Sequence, residues 1–536
     1  MYMKQKILLF LILILAFFLR VVNLEKAPAG FFCDEASIGY NAYLLLKTGK
    51  DEYGASWPIF FRAFGEYKNP VQIYSTIPFV AFFGLNEFSV RLVSAIYGTL
   101  TIIVIYFLTK IILEPQTPSF EPAIAGLLLA ISPWYIHFSR VGFELMPFVF
   151  FTTLGTFLFL KSLKSKNQIL LLSFALCALS LSLYSYSPAR IFIPLFLTGL
   201  ILIFRKSLKI KTLIFGGLLF FLLTLPLLFH LKSGQGLSRW RQVSIFKEKT
   251  FTQALKQVSK NYRAHFSLDF LFKKGDVDMP GQFITRHSVR GLGELYWFQL
   301  PLILSGILAL ISLKKRKELI LFLWWLVLYP LGSVITADVS PQATRSIIGV
   351  IPFQILSAIG FSYFYQNGVR SDSDLVKKIS VIVCARRLER TLKFTILALA
   401  FLLLIGISTV EFFRYTYLYF IEYSKYSSDY WSWQWGFKEI MEDFSKRKGY
   451  DELLITHRFN RGETLLKFYQ VTIPCPKCQI APNPITFNPA KRQFFAVRKE
   501  GLRELEAQGA EFITKKILHY PNGGPAFFIG EVVTGY

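Results

Sequence analysis

Residues 7–22 read ILLFLILILAFFLRVV, and after a short polar break residues 31–50 read FFCDEASIGYNAYLLLKTGK. The first stretch is an apolar run of membrane length, preceded by Lys4 and Lys6 and followed by Asn23, Glu25 and Lys26. It has no small-residue cleavage signature, so it reads as a retained first helix with a cytoplasmic N-terminus and not as a removed signal peptide. The second stretch opens on an acidic pair, Asp34-Glu35, just outside that crossing. Carboxylates at a membrane face suit chemistry on a polar substrate whose lipid is held by the helices. The competing reading is two ordinary loop acids.

Outward from this start the same pattern recurs. Of 536 residues 53% are hydrophobic and 55 are Phe, with a mean hydropathy of +0.43, and the apolar residues are gathered into runs. Further candidate spans lie at 88–109, 122–137, 146–163, 168–184, 189–205, 212–230, 294–312, 319–336, 345–364 and 392–410, which predicts eleven crossings and a polytopic all-α membrane protein. The formal charge of +26 comes from 60 Lys and Arg against 34 Asp and Glu. Many of these cations cluster in alternate short loops: Lys110, Lys161 with Lys164 and Lys166, Arg205-Lys206 with Lys209 and Lys211, Lys314 to Lys317, and Lys377-Lys378 through Arg390. Such clusters are topology signals that also pair with anionic lipid headgroups, so membrane lipids and not nucleic acid are the expected polyanions. The protein is expected in the plasma (inner) membrane.

The opposite, extracytoplasmic side receives the long connections 24–87 and 231–293, both expected to carry juxtamembrane helices. Val71–Phe83 would make a short or re-entrant span only by reversing every later loop charge. Residues 1–411 thus form one transmembrane module. In 412–536 strand-like runs at 453–456, 494–497 and 526–529 alternate with helical segments at 437–447 and 502–508, which predicts a small extracytoplasmic α/β domain. Five cysteines show no framework pattern; Cys475-Pro-Lys-Cys478 reads as a loop, with a local disulfide or a metal site as the alternatives.

The candidate chemistry begins where Asp34-Glu35 precedes or caps a helix whose apolar spacing runs through Ile38, Leu44 and Leu45. A carboxylate there can take the proton of a hydroxyl, and Lys68 or Arg62 in the segment ending Tyr67-Lys68-Asn69-Pro70 can stabilise a departing phosphate. Helix capping by Asp34 and a headgroup role for Lys68 are the alternatives. Arg140 and Glu144, four apart, can share one helical face beside this loop, or form a plain salt bridge. Arg345, at the mouth of a late span, can clamp phosphate oxygens or serve as a topology arginine. His265, His287 and Arg290 in the 231–293 loop can move protons or line a cover over a cavity, and they show no compact metal-ligand motif.

Together these features resemble the integral-membrane GT-C glycosyltransferases, in particular the bacterial aminoarabinose transferases and the dolichyl-phosphate-mannose-protein mannosyltransferase-like group. The carriers are Asp34-Glu35-Ala36 after the first span, Tyr67-Lys68-Asn69-Pro70, Arg91 with Ser94 and Gly98, and Arg345. The resemblance implies a GT-C fold and a sugar moved, with inversion, from a polyprenyl-phosphate-linked monosaccharide to a lipid, glycan or protein hydroxyl; a nucleotide sugar is not the expected donor. It further implies Asp34 as catalytic base with Glu35 orienting or binding the acceptor, Lys68 and Arg345 at the donor phosphate, and Glu144 as a second acid near the cavity; from their own positions in the sequence, Arg62 is added at the phosphate and Arg140, Tyr67, His265, His287 and Arg290 at the acceptor or cavity. Lys68-Asn69-Pro70 departs from the paired proline of many relatives, and the histidine of the eukaryotic protein mannosyltransferases is missing, which disfavours protein O-mannosylation. Related oligosaccharyltransferases use a divalent ion; here neither a strong ligand set nor a matching C-terminal motif requires one, so the metal is left open. A lipid-linked glycan transporter or flippase, using the same basic mouth, is the rival class.

Overall fold

In lipid a backbone can satisfy its own polar groups only as helix or closed barrel, so long apolar runs dictate helices. The computed structural model describes residues 2–113, 120–247, 249–276, 286–338, 340–369 and 383–534. Of the sequence features above, Lys377-Lys378 lies outside these residues, and the 392–410 span falls in a helix whose side chains through most of 383–398 also lie outside them.

The chain opens with α1 (Tyr2–Val21) and α2 (Cys33–Thr48), then a hairpin of β1 (Phe61–Ala63) and β2 (Glu66–Lys68), and α3 (Pro70–Phe83). Gly49, at φ +69°, ends α2, and Pro70 opens α3 at the helix position where its missing N–H costs nothing. The bundle continues with α4 (Glu87–Leu113), α5 (Glu121–Ile131), α6 (Pro133–Ser139), α7 (Leu145–Ser162), α8 (Gln168–Leu183), α9 (Ala189–Phe204) and α10 (Ile210–Lys232). The second long connection carries α11 (Ser238–Val243) and α12 (Phe251–Ala264), the latter started by a reciprocal box between Thr250 and Gln253. Then come α13 (Gln299–Ser312), α14 (Arg316–Leu328), α15 (Leu331–Val334), α16 (Ala343–Ser346), α17 (Val350–Val369) and α18 (Val383–Tyr417).

The expectation of eleven crossings is not met. Among the described residues five helical segments are long and apolar enough to cross a membrane: Glu87–Leu113, Leu145–Ser162, Ile210–Lys232, Arg316–Val334 and Ala343–Tyr365. The pair α5 and α6, bent by 60° at Ser132, makes a sixth if it counts as one span. The reason is length and charge. Helices α8 and α9 have 16 residues and α13 has 14, too short at about 1.5 Å per residue for a hydrocarbon layer of about 30 Å, and α1 carries Lys4, Lys6 and Arg20. An apolar run in sequence gives composition, not the point at which a helix stops. The side-by-side alternation of loops rested on that count and is not fixed by it now.

After α18 come α19 (Tyr423–Ser427), whose Tyr423 packs into the bundle core, and then α20 (Phe437–Phe444), α21 (Gly462–Gln470) and α22 (Lys499–Glu506), which accompany a mixed sheet. Its order is β4-β3-β5-β7-β6, with β3 (Glu452–Ile455) parallel to β4 (Cys478–Ile480) and β5 (Gln493–Val497), and β7 (Pro525–Thr534) antiparallel to β5 and β6 (Ala510–His519). Cys475 and Cys478 form a disulfide at the entry to β4, so a local bridge does brace this region where a plain loop was expected. The sheet region is not a detached appendage. Phe31, Ala36, Ile38 and Ala42 from the start of α2 share one apolar cluster with Phe437, Ile440, Phe468 and Phe527. Lys438 pairs with Glu87 at 2.8 Å and Lys467 with Glu52 at 3.2 Å across the same contact.

Within the bundle, α13 and α17 approach closely at Gly306 and Gly360. A Cβ on Gly360 would strike the Leu302 carbonyl, and one on Gly306 that of Leu356. Gly360→Val is therefore expected to force these helices apart, at a cost of roughly 1–3 kcal/mol or more. A thermal midpoint in detergent unchanged from wild type would show that the crossing tolerates a side chain.

Candidate active site

Helix α2 places Asp34 and Glu35 in opposite environments. Glu35 is fully buried; its Oε1 accepts from Arg91 Nε at 2.9 Å and from the Gly142 N–H at 2.8 Å, and its Oε2 from Arg91 Nη2 at 3.0 Å and the Phe32 N–H at 3.1 Å. Arg91 completes its fork on the carbonyls of Leu24, Pro28 and Gly30. Every lone pair and N–H of the pair is thus engaged inside the protein, away from the open space that Asp34 faces.

Asp34 lines a cavity of 730 Å³, its side chain 38% exposed. Its Oδ1 accepts from Lys68 Nζ at 2.8 Å, and Lys68 is itself delivered by the last position of β2. The hairpin that carries Lys68 turns through Phe64 and Gly65, at φ +55° and +80°. Burial pushes the Asp34 carboxyl up, but the charge and hydrogen bond of Lys68, helped by Arg286 and Arg239, outweigh it and leave Asp34 below its ordinary value. Burial likewise works against the Lys68 ammonium, and Asp34 and Glu144 more than compensate.

Glu144, just ahead of α7, is the next wall residue. Its two oxygens accept from Asn69, the backbone N–H at 3.0 Å and Nδ2 at 2.9 Å. Asn69 in turn accepts at Oδ1 from Arg190 Nη2 at 2.8 Å. Burial dominates for Glu144 and pushes its carboxyl up from 4.5 to about 7, against the pull of Lys68 and Asn69. The folded protein therefore holds this proton where the unfolded chain has lost it, so stability from Glu144 falls as pH rises from about 4.5 to about 7.

Arg345 in α16 enters from another side, donating to Thr336 Oγ1 at 2.5 Å and paired with Asp338. His287 completes the rim with Nδ1 3.0 Å from Asp276 Oδ2, and Tyr67 packs its ring edge-on to His230. Asp34, Lys68, Glu144, Arg345, Tyr67 and His287 thus share one cavity. The remaining expected residues do not. Arg62 projects outward from β1 over the Tyr53 ring, because the pleat that buries Phe61 and Ala63 exposes it. Arg140 is wholly buried and donates to the carbonyls of Leu19, Val22, Asn23 and Ala27. It shares no helical face with Glu144, since α6 ends at Ser139 and α7 begins at Leu145. His265 is buried against the Asn261 carbonyl, and Arg290 stacks on Tyr426. Glu35, read as an assistant in catalysis, is a structural ion-pair partner.

Glu66 of β2 and Arg239, an arginine of the 231–293 loop, also line the cavity and pair at 3.3 Å. Sequence reasoning passed over Asp276, Asp338 and Arg461, all in the cavity wall, and no sequence signal marks these three, because each gains its place from a distant element. Among the described residues no three His, Cys, Asp or Glu side chains converge to hold an ion, and the Asp276–His287 pair falls short of the ligand set a divalent metal takes.

Residues 68–230 match the family model described as dolichyl-phosphate-mannose-protein mannosyltransferase. The structure resembles that of ArnT from Cupriavidus metallidurans in the apo state, with a TM-score of 0.55 at 12% identity, covering 99% of this chain and 98% of that one. It resembles the same protein bound to undecaprenyl phosphate with a TM-score of 0.54 at 12% identity, over 97% of each chain. The chain has the GT-C fold. An uncharacterised protein of Aquifex aeolicus (strain VF5) is 27% identical over 258 residues, 47% of this chain, and the match spans half of that relative's length. Within the GT-C fold the cavity lies where the first loop, the α7 start, α16 and the C-terminal sheet region meet.

The two neighbouring acids are expected to separate cleanly on mutation. Glu35→Gln strands the buried Arg91 charge and is expected to cost roughly 3–5 kcal/mol, whereas Asp34→Asn, at a part-exposed cavity pair, is expected to cost far less. Equal losses in unfolding midpoint for both variants would contradict this division of roles.

Proposed function

We propose that the protein is an inverting glycosyltransferase that moves a sugar from a polyprenyl-phosphate-linked donor to a hydroxyl of a lipid, glycan or protein acceptor on the extracytoplasmic face. The observation that carries this reading is the Asp34–Lys68 pair at 2.8 Å in the wall of a cavity that Arg345 also lines. A base and two phosphate-binding cations around one space are what displacement at a sugar phosphate needs. The matching family model and the undecaprenyl phosphate held by ArnT support a lipid phosphate as the carrier.

In the proposed reaction the acceptor oxygen attacks C1 of the sugar from the face opposite the phosphate. Its proton passes to Asp34, the C1–O bond to phosphate breaks, and the polyprenyl phosphate leaves against Lys68 and Arg345. Before the donor arrives, Asp34 neutralises Lys68. The donor phosphate competes for that cation, and a carboxylate that loses its cation becomes a better base. Glu144 and Asn69 hold the Lys68 strand from behind. Residues 1–411 would be the transferase module and 412–536 an extracytoplasmic domain, in a chain whose N-terminus is cytoplasmic.

A mass-resolved transfer assay with purified protein, polyprenyl-phosphate sugars and membrane extract tests the reading. Asp34→Asn is expected to fold and to lose roughly a hundredfold to ten-thousandfold of transfer, as removal of a general base does. Near wild-type turnover would remove Asp34 from that role, and donor translocation without bond cleavage would replace the enzyme by a transporter. The wild-type rate is also expected to rise with pH through about 7 as Glu144 ionises and grips Asn69, and this limb is expected to vanish in Glu144→Gln. A limb that persists in that variant would assign the titration elsewhere.

A further inference from the structure

The cations of the cavity fall into two groups. Lys68, Arg239 and Arg345 each face a carboxylate, namely Asp34, Glu66 and Asp338. Arg190, Arg286 and Arg461 also line the cavity, and among the described residues none of the three is ion-paired to a carboxylate; Arg190 spends its two Nη groups on the Gly236 carbonyl and Asn69 Oδ1. Arg286 places its Cζ 3.7 Å from the centroid of the Phe32 ring, donates one long bond of 3.4 Å to the Ser432 carbonyl, and its Nε is buried without a partner. Arg461 is exposed at the cavity mouth and contacts the Phe64 ring at 5.4 Å. A cation held against an aromatic face keeps its N–H edge free for a ligand.

Both guanidiniums converge on the start of α2. Arg286 lies on the ring of Phe32, immediately ahead of α2, and Arg461 follows Asn460, which Gln434 links to the Cys33 N–H; in keeping with this, the Cys33 thiol that burial and Asp34 push up is pulled back by Arg286, Lys68 and Arg461. Asp34, which also acts on Arg286 together with Asp429, is already held by Lys68. Two arginines without a carboxylate ion pair beside a helix N-terminus make a field that favours an anion.

The backbone is built to hold this arrangement. Arg461 sits in the left-handed region at φ +57°, and so do Phe64 at +55° and Gln434 at +58°. Bulky residues adopt that conformation only where their surroundings enforce it, and such strain gathers at ligand clamps. Gln434 is the enforcing link: its Oε1 accepts from the Cys33 N–H at 2.8 Å and its Nε2 donates to the Asn460 carbonyl at 2.6 Å. The residue before Arg461 is thereby tied to the first turn of α2. Phe64 spans the gap from the other side, with Lys68 Nζ 5.2 Å from the same ring that Arg461 contacts.

We propose that Arg286 and Arg461 form a second oxyanion subsite, beside the Lys68 position, that takes a phosphate or carboxylate group on the C-terminal side of the cavity. It rests on the transfer reading only for the source of that group. The group is an acidic substituent of the acceptor, held so that a nearby hydroxyl faces Asp34; a second phosphate on a diphosphate-linked donor has the same chemistry.

The test uses the purified full chain in detergent, titrated with inorganic phosphate at low ionic strength. Lys68→Met is expected to keep phosphate binding, and adding Arg286→Gln and Arg461→Gln is expected to weaken it roughly tenfold to a hundredfold, the worth of lost charge-assisted hydrogen bonds. Arg461→Gln alone, at an exposed position, guards against misfolding and is expected to weaken binding severalfold, while Arg461→Lys weakens it less. Identical phosphate affinity with and without the arginines overturns the subsite. Undecaprenyl phosphate and undecaprenyl diphosphate then identify the source. A selective loss for the diphosphate in the arginine double variant assigns the group to the donor, and equal affinity for both lipids assigns it to the acceptor. Absence of sugar transfer alongside intact phosphate binding would defeat the transfer reading and leave the subsite standing.

Discussion

Glu35 and Arg91 are two opposite charges held in dry protein, and the geometry of the cavity follows from them. Removing either from water is costly unless its bonds are replaced, and here the carboxylate accepts four hydrogen bonds while the guanidinium binds three further carbonyls. The pair ties α2 to α4, to the 24–30 segment and to Gly142, where an added Cβ would press on Val90 and the Glu35 side chain. Successive residues on a helix are turned by about 100°. With Glu35 pinned into the bundle, Asp34 is turned into the open space beside it, at a fixed distance from the strand that brings Lys68.

Other buried arginines act in the same structural way. Arg140 collects the carbonyls of Leu19, Val22, Asn23 and Ala27, and so ties the end of α1 and the turn after it to a distant element. Arg20 donates to the Ala16, Ala130 and Leu129 carbonyls and joins α1 to α5. Both are wholly buried in the bundle and lie outside the cavity wall. Arg345, Arg286 and Arg461 differ by lying in the cavity wall.

This distinction explains what could be read in the sequence. The helical class, the C-terminal strands at 453–456, 494–497 and 526–529, and the chemical interest of Asp34, Lys68, Glu144 and Arg345 were legible from run composition and from residues at the edges of apolar runs. The structure brings those four side chains to one cavity. The crossing count was not legible, because Asn167, Pro188 and the bend at Ser132 set helix ends that composition does not register. The roles of Glu35 and Arg140 were misread for a related reason. A charged residue near a predicted membrane face looks the same in sequence whether it meets solvent or a set of buried carbonyls. Arg461 was invisible for the opposite reason: it lies in a tail that returns to the first loop only through tertiary packing around Phe468 and Phe527.

The pairing of Asp34 with Lys68 then has a physical consequence for the order of events in the proposed reaction. Burial works against the ammonium in this wall, and before substrate arrives Asp34 compensates it, with Glu144 adding to that. That same contact holds the carboxylate below its ordinary value and makes it a poor acceptor of a hydroxyl proton. A phosphate group carries more charge than one carboxylate and binds the same ammonium with more acceptors, so its arrival shifts Lys68 away from Asp34. Basicity at Asp34 thereby becomes conditional on an occupied donor site. In an empty cavity open to water, a strong base would have only water to activate, whereas a base released by the donor acts when a sugar carbon is in place to be attacked. The ion pair at 2.8 Å is in this sense part of the resting protein's stability and a brake on its chemistry at once.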